Sequence, residues 1–146
     1  MALNSLKIKR VIHFCNQRRL HPEPLLFLNN HPFPVVNEVK FLGLYFDNKL
    51  SFLLHIKYLK TKCLQAMNLF KIIAHHTWGA DQSTLLTLYR TLVRSKLDYG
   101  AIVYGSTCKS YLKILEPLPN QALRICLGAY RTSPVSSLQV LAHEFP

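Results

Sequence analysis

The chain has 146 residues, of which 49% are hydrophobic, a length and composition that fit one folded domain and exclude a largely disordered protein. Eighteen Lys and Arg stand against seven Asp and Glu, which gives a formal net charge of +11 and indicates a polyanionic partner such as a nucleic acid. A generically basic, soluble surface is the alternative that composition leaves open.

Membrane, secretory and disulfide patterns are missing from the sequence. No uncharged run reaches the ~18 residues that span a bilayer, and the first residues lack the pattern of a signal peptide, so we expect an intracellular protein without a membrane partner, in nucleus or cytoplasm. The four cysteines, Cys15, Cys63, Cys108 and Cys126, contain no C-x-x-C pair. Buried, reduced thiols are therefore expected rather than disulfides or a zinc site.

The first 50 residues predict short β-strands. Residues 7–14 alternate apolar and basic side chains, as in a strand, and residues 25–36 predict a hairpin with arms at 25–28 and 35–36. Asn29 and Asn30 would form its turn. Residues 39–46 are apolar enough to predict one strand buried on both faces, which Gly43 interrupts.

A long amphipathic helix is predicted directly after these strands. Ser51 is the expected N-cap, and apolar residues recur at spacings of three and four from Phe52 to Ile73. The opposite side of this helix carries lysines and no acid: Lys57, Lys60 and Lys71. One face is therefore expected to pack and the other to be basic.

Further helices are predicted up to the C-terminus. Gly79 would end the first helix and Asp81 would cap the second. Proline at 117 and 119 predicts that the helical region at 106–127 is kinked or split, and Gly128 would close it. Ser133 as cap and Pro134 in the first helical position predict a short last helix. The expected fold class is α+β, with short antiparallel β-strands at the N-terminus followed by a bundle of three to four α-helices.

Candidate catalytic and metal-binding residues are scarce. Metal-assisted phosphoryl chemistry needs clustered carboxylates, but Asp47, Asp81 and Asp98 fall in different predicted elements. The adjacent pair His75 and His76 would point about 100° apart on a helix, which does not suit a shared metal ion. We therefore expect no catalytic residue and no metal site in this chain.

Three segments, taken in order, resemble the reverse transcriptases of jockey-type non-LTR retrotransposons. They are "KFLGLYFDNKLSF" at 40–52, a run from "WGAD" at 78–81 through "LDYG" at 97–100 to "VYGS" at 103–106, and "NQALRICLGAYRTSPV" at 120–135. The similarity extends over essentially the whole chain. It corresponds to the part of the enzyme that follows the catalytic palm motifs.

The resemblance implies a division by role. Residues 1–50 would be the C-terminal edge of the palm with a primer-grip-like hairpin, 51–128 a thumb-like helical region, and 129–146 the start of a connection toward a ribonuclease H domain that is itself absent. The primer-grip motif matches Phe41, Leu42 and Gly43. Contacts to nucleic acid are expected from Lys49, Lys57, Lys60, Lys71, Arg90 and Arg94. Lys7 falls where the family has a palm lysine, although Ile8 replaces the threonine that usually follows.

The function that the resemblance implies is a fragment of an RNA-directed DNA polymerase that contributes primer–template binding and lacks the catalytic aspartates. Its expected partners are an RNA–DNA or DNA primer–template duplex and the missing fingers and palm. No cofactor is expected in the chain itself, whereas Mg is expected for the complete parent enzyme, and the chain alone is not expected to be active. The alternatives are a helical protein-interaction module and a non-functional relic of a decayed element.

Overall fold

The computed structural model describes residues 10–15, 24–28, 30–74 and 79–144. The chain divides into two compact units, Met1–His55 and Ile56–Pro146. Short antiparallel strands in the first unit are followed by a series of helices, which confirms the expected α+β fold class. The assignment of 1–50, 51–128 and 129–146 to different parts of a polymerase stays a prediction.

The first pair of strands forms a short hairpin. Strand β1 (Phe27–Leu28) pairs antiparallel with β2 (His31–Pro32). Asn30 has a φ of +61°, as predicted for a tight turn, because the short polar side chain of asparagine tolerates the left-handed region. Asn29 lies outside the described residues.

The predicted second arm of this hairpin, at 35–36, is wrong. The short turn already brings His31 opposite Leu28, and the ladder cannot continue far because proline at 32 and 34 has no N–H to donate. Val35 instead forms an isolated parallel bridge with Val11. Of the strand expected at 7–14, residues 7–9 lie outside the described part, and the described residues 10–14 form this one bridge, so a regular strand is wrong for that part.

The stretch predicted as one doubly buried strand is a hairpin. Strand β3 (Glu38–Phe41) pairs antiparallel with β4 (Leu44–Asp47). Leu42 and Gly43 lie between them with φ values of +46° and +82°, and a two-residue turn with both central residues at positive φ reverses the chain in the sense that fits the twist of the strands. Most of β3 is exposed, so burial on both faces is also wrong.

Asp47 organises the connection from β4 to the first helix. Its carboxylate accepts hydrogen bonds from the N–H groups of Ser51 at 3.0 Å and Phe52 at 2.9 Å. Helix α1 begins at Leu53, and the predicted cap, Ser51, offers its hydroxyl to the Leu53 N–H only at 3.5 Å. The strong acceptor at this turn is therefore Asp47, because an ionised carboxylate binds N–H groups more strongly than a hydroxyl does.

Helix α1 (Leu53–Ile73) has the predicted register. Its buried positions recur at spacings of three and four, as expected for one packed face: Ile56, Leu59, Cys63, Ala66, Met67 and Phe70. The helix ends at Ile73, before the predicted stop at Gly79. His75, His76 and Trp78 lie outside the described residues.

The second helical run is capped as predicted and contains a π-helical segment. Helix α2 (Gln82–Tyr89) is followed without a break by the π-helical segment (Arg90–Arg94) and by α3 (Ser95–Asp98). The carboxylate of Asp81 accepts hydrogen bonds from the N–H groups of Ser83 and Thr84. A π turn needs an extra residue and is often found at positions with a special role.

Four more helices complete the second unit: α4 (Ala101–Tyr104), α5 (Lys109–Leu112), α6 (Pro117–Leu127) and α7 (Val135–Leu141). The predicted split is confirmed, because α6 begins at Pro117. Gly128 ends α6 with a φ of +62°, as expected for a left-handed C-cap. Pro134 precedes α7 as its cap, so the predicted cap at Ser133 is wrong by one residue.

The core of the second unit joins α2 and α7 to α6. Helix α2 packs against α6, and α6 packs against α7. The thiol of Cys126 in α6 donates to the carbonyl oxygen of Leu85 in α2 at 3.4 Å. All four cysteines are free, and Cys63 and Cys126 are buried as expected, but Cys108 is exposed, which contradicts the prediction for that thiol.

Candidate nucleic-acid interface

The exposed side of α1 presents the lysines that the sequence singled out. Lys57, Lys60 and Lys71 are all exposed, and the helical rise places the first and last of them ~21 Å apart along the axis. No acidic residue occurs between Asp47 and Asp81. Within the described ranges none of the three lysines forms an ion pair. We call these three residues the lysine stripe, and its positive charge is available to an external anion.

The same helix also exposes apolar side chains. Leu64, Leu69 and Ile72 are all exposed, Ile72 to 61% of its full area. The Lys62 ammonium lies 5.7 Å from the centroid of the Tyr58 ring, where a cation is attracted to the aromatic face. The exposed side of α1 is therefore mixed and could support contact with nucleic acid or with protein.

The primer-grip-like residues form the tip of the second hairpin. Phe41 and Leu42 are 62% and 72% exposed, and Gly43 is exposed beside them. The positive φ of Gly43 gives a conformational reason for the missing side chain. Lys49 is exposed in the turn that follows β4. The tip thus offers two apolar side chains to solvent, and what they contact stays a prediction.

Arg90 and Arg94 already have partners in the chain. Glu144, whose side chain is only 10% exposed, accepts from Nε of Arg90 at 2.8 Å and from Nη1 of Arg94 at 3.2 Å. Nη2 of Arg90 donates to the carbonyl oxygen of Ala142 at 2.8 Å. Nε of Arg94 also pairs with Asp98 at 3.2 Å. Their expected contact with nucleic acid is untested, but their charges are largely neutralised within the fold.

The aspartates are engaged in local roles and do not form a magnesium site. Asp47 and Asp81 accept backbone hydrogen bonds, and Asp98 pairs with Arg94. Although burial alone would raise it, the N–H groups of Ser51 and Phe52 lower the pKa of Asp47. In the part of the chain that the structure describes, no three His, Cys, Asp or Glu side chains lie close enough to hold a metal ion. The described aspartates thus lie apart and are already engaged, and the Mg expected for the parent enzyme stays a prediction.

Sequence reasoning missed several of the charged residues that the fold brings together. Glu144 had no predicted role, and no local pattern could have found it because its arginine partners lie 50 and 54 positions away. Arg124 and Arg131 also went unnoticed, although they line a common cleft. The expected palm lysine, Lys7, lies outside the described residues. Among the helices described, none is long and apolar enough to cross a membrane.

Three curated proteins are similar to this chain over most of its length. The probable RNA-directed DNA polymerase from transposon X-element of Drosophila melanogaster is 26% identical over 88% of the chain. The retrovirus-related Pol polyprotein from type-1 retrotransposable element R1 of Bradysia coprophila is 30% identical over 84% of it. A Pol polyprotein from element R1 4 of Nasonia vitripennis is 28% identical over 74%.

These relatives are much longer than the region they share with this chain. The chain spans 14% of the Drosophila protein, 12% of the Bradysia protein and 28% of the Nasonia protein. No protein-family model and no solved structure matches it. The similarity to one probable transposon polymerase and two Pol polyproteins agrees with the resemblance found in the sequence. The chain is related to the reverse transcriptases of non-LTR retrotransposons and corresponds to one segment of these longer relatives.

Proposed function

We propose that this chain is the segment of a non-LTR retrotransposon reverse transcriptase that binds the primer–template duplex. The observation that carries the proposal is the lysine stripe on α1. Its three ammonium groups are exposed, they have no ion pair within the described residues, and the opposite side of the same helix is buried. The helix is therefore anchored on one side and positively charged on the other.

Phosphate contact is the interaction that this surface fits best. Ammonium groups spread over ~21 Å along a helix axis can follow the backbone of one strand. Such contacts read the shape and charge of a duplex rather than its base sequence. A polymerase segment needs this property, because the enzyme must hold every sequence that it copies.

The hairpin tip is proposed to contact the end of the primer. Phe41 and Leu42 stand exposed at a tight turn, and the lack of a side chain at Gly43 lets another backbone approach closely. Apolar side chains at such a tip can pack against a sugar or the face of a terminal base. The tip would then hold the primer end.

Nucleotide addition is proposed to depend on residues outside this chain. The described aspartates are occupied in capping, turn and ion-pair roles, and no metal-binding cluster occurs among the described residues. The catalytic carboxylates and their Mg would therefore come from the fingers and palm of the polyprotein. This chain would add binding and positioning, and we expect it to be inactive alone.

The test is duplex binding across a salt series. We would measure the affinity of the full chain for a labelled RNA–DNA duplex, with Lys57→Ala/Lys60→Ala beside it. Loss of two phosphate contacts should reduce the slope of log affinity against log salt concentration by about 1.4 to 1.8. The matched control is Lys109→Ala/Lys113→Ala, which removes two exposed lysines, one at the start of α5 and one directly after it.

Each outcome of the salt series bears on the proposal. A loss confined to the α1 variant supports phosphate contact by the lysine stripe. Equal loss in both variants would mean diffuse attraction to a basic protein and would contradict a defined site. No binding by a chain that is folded by circular dichroism would favour the non-functional relic.

A protein-interaction module is the second candidate, because α1 also exposes Leu64, Leu69 and Ile72. Apolar docking depends on buried area and responds weakly to salt. An Ile72→Ser variant should then lose a protein partner while duplex binding stays unchanged. The salt dependence and the two kinds of variant separate the candidates.

A further inference from the structure

A polar cleft lies in the helical unit, away from the residues assigned above. Its volume is about 680 Å³, and it lies beside the first turns of α6 and the turn that precedes α7. The polar residues that line it are Glu116, Asn120, Gln121, Arg124 and Arg131. The lining contains two guanidinium groups, two amides and one carboxylate, so it carries a net positive charge.

The guanidinium of Arg124 is held in place but is not saturated. Nη1 donates to the carbonyl oxygen of Asn120 at 3.4 Å, and Nη2 donates to that of Ser133 at 3.3 Å. Both distances are long for N–H···O hydrogen bonds. Nε is buried and has no hydrogen-bond partner among the described residues. A stronger acceptor could therefore take over the two terminal nitrogens, whose present hydrogen bonds are long, whereas the buried Nε is out of its reach.

Neither arginine of the cleft is neutralised. In the described ranges, Arg90 and Arg94 form ion pairs, and Arg124 and Arg131 do not. Arg131 is exposed, and Glu116 is not within ion-pair distance of either guanidinium. The cleft thus keeps its positive charge, whereas the charges of Arg90 and Arg94 are balanced by Glu144 and Asp98. Arginine is also the side chain whose planar fork best matches a phosphate group.

An exposed aromatic residue adjoins Arg131 in the sequence. Tyr130 is 86% exposed and directly precedes Arg131. A turn holds it, since the N–H of Ser133 donates to the Tyr130 carbonyl oxygen at 3.1 Å. A tyrosine so exposed contributes little to the core. Its ring is instead available to stack on a planar ligand.

We propose that this cleft binds a single strand of nucleic acid, with a phosphate on Arg124 and Arg131 and a neighbouring base stacked on Tyr130. The combination of an arginine pair with an exposed ring matches the chemistry of a nucleotide, which carries an anion and an aromatic face together. An acidic peptide would use the arginines but would leave the ring without a partner. Asn120 and Gln121 supply further donors and acceptors for the same strand.

This inference shares only its ligand class with the proposed function. The lysine stripe is proposed for a duplex, whereas this cleft is proposed for an unpaired strand, whose bases are free to leave the stack. The two sites use different residues of the same unit. Either can therefore fail in an experiment while the other survives.

The test is binding of a fluorescent oligothymidylate of about 12 nucleotides to the full chain at fixed salt. Tyr130→Ala should weaken binding roughly tenfold, and Tyr130→Phe should retain it, because stacking needs the ring and not the hydroxyl. Arg131→Ala should weaken binding and flatten its salt dependence. Glu116→Gln should strengthen binding, since it removes the one negative charge of the lining.

Thermal melting by circular dichroism shows whether each variant folds. Tyr130 and Arg131 are exposed, so both variants should melt with the parent chain. The inference is overturned if Tyr130→Ala binds the oligonucleotide as tightly as the parent. It is also overturned if polyglutamate competes as well as the oligonucleotide, which would indicate an acidic protein partner. If Lys57→Ala/Lys60→Ala removes single-strand binding and Arg131→Ala does not, the strand binds α1 instead.

Discussion

Nε of Arg90 donates a 2.8 Å hydrogen bond to Oε1 of Glu144, across 54 positions of the chain. Nη1 of Arg94 reaches the other oxygen of the same carboxylate at 3.2 Å. Both arginines belong to the π-helical segment, where positions four apart lie more nearly above one another than in an α-helix because each turn takes more residues. One carboxylate therefore fastens the residues after α7 to the middle of the second helical run.

Loss of the Glu144 charge should destabilise the helical unit. We expect Glu144→Gln to lower the free energy of unfolding by about 1–3 kcal/mol, because two guanidinium groups lose a charged acceptor that is largely shielded from water. Urea denaturation measures the change. The control is Glu116→Gln, whose carboxylate has no ion pair in the described ranges and should change stability by less than about 0.5 kcal/mol. Equal midpoints for both variants would contradict the role of Glu144.

Arg90 should matter more for stability than for duplex binding. Its guanidinium is committed to Glu144 and to the Ala142 carbonyl oxygen, whereas Lys57 has no ion pair among the described residues. Arg90→Ala should therefore lower the urea midpoint and leave the duplex affinity of the folded chain within about twofold. Lys57→Ala should do the reverse. A large loss of affinity in a stable Arg90→Ala variant would restore Arg90 as a nucleic-acid contact.

Stability should fall at acid pH partly through Asp47. The folded chain lowers the pKa of this carboxyl group, with burial opposing the shift and the N–H groups of Ser51 and Phe52 producing it. The ionised form thus stabilises the fold, fully above the unfolded-state pKa of ~3.9 and progressively less as pH falls through the folded-state value. Asp47→Asn should destabilise the chain by about 1–2 kcal/mol at pH 7.

Urea denaturation at several pH values checks whether the stabilisation by Asp47 falls as the pH is lowered. The difference between parent and Asp47→Asn should be constant from pH 7 to about pH 5 and should shrink below pH 4. A difference that stays the same at pH 3 would mean that the charge of Asp47 contributes nothing. Glu38→Gln serves as a control, because this carboxyl group is exposed at the start of β3.

The sequence predicts α1 well because its information is local. The spacing of Ile56, Cys63 and Met67 follows the 3.6-residue period, and burial of that face decides the structure. The cap at Asp81 is equally local, since the N–H groups that donate to its carboxylate lie within three residues of it. Periodicity alone, however, could not distinguish a buried strand from the hairpin at 38–47. The turn residue Leu42 is not one that usually adopts positive φ.

The candidate site is predictable only where it lies on one helix. The lysine stripe follows from spacing, because exposure of one helix face is a local property. The pairing of Arg90 and Arg94 with Glu144 depends instead on how α7 packs, and no pattern in 146 residues specifies that contact. The same holds for the cleft at Arg124 and Arg131. Charged residues assigned by sequence therefore need their partners identified before they are assigned to a ligand.

The buried cysteines should react with alkylating reagents more slowly than the exposed one. Burial raises the pKa of Cys126 to about 11, and it raises the pKa of Cys63 despite the charge of Lys96. The thiol of Cys108 is exposed, and hydrogen bonding with Ser110 lowers its pKa. Because the thiolate is the reactive form, iodoacetamide at pH 8 should label Cys108 first in the folded chain.

Mass spectrometry of peptides checks the order of labelling. Cys63 and Cys126 should react only after urea unfolds the chain, and a Cys108→Ser variant should lose the fast phase. Fast labelling of Cys126 in the native chain would contradict the packing of α6 against α2. The experiment thus tests the helical core without any ligand.

The hairpin tip should show opposite effects on stability and binding. Leu42 has a φ of +46°, a conformation that costs a residue with a side chain about 1 kcal/mol and that asparagine tolerates better. Leu42→Asn should therefore raise the free energy of unfolding by about 0.5–1 kcal/mol, measured by urea denaturation. The variant also removes an exposed apolar side chain from the tip, so it should weaken binding to a primer–template duplex if the tip holds the primer end. Leu50→Asn is the matched control, because Leu50 is exposed with a φ of +52° and lies outside the tip. Equal affinities for the two variants would contradict a role of the Leu42 side chain in holding the primer end.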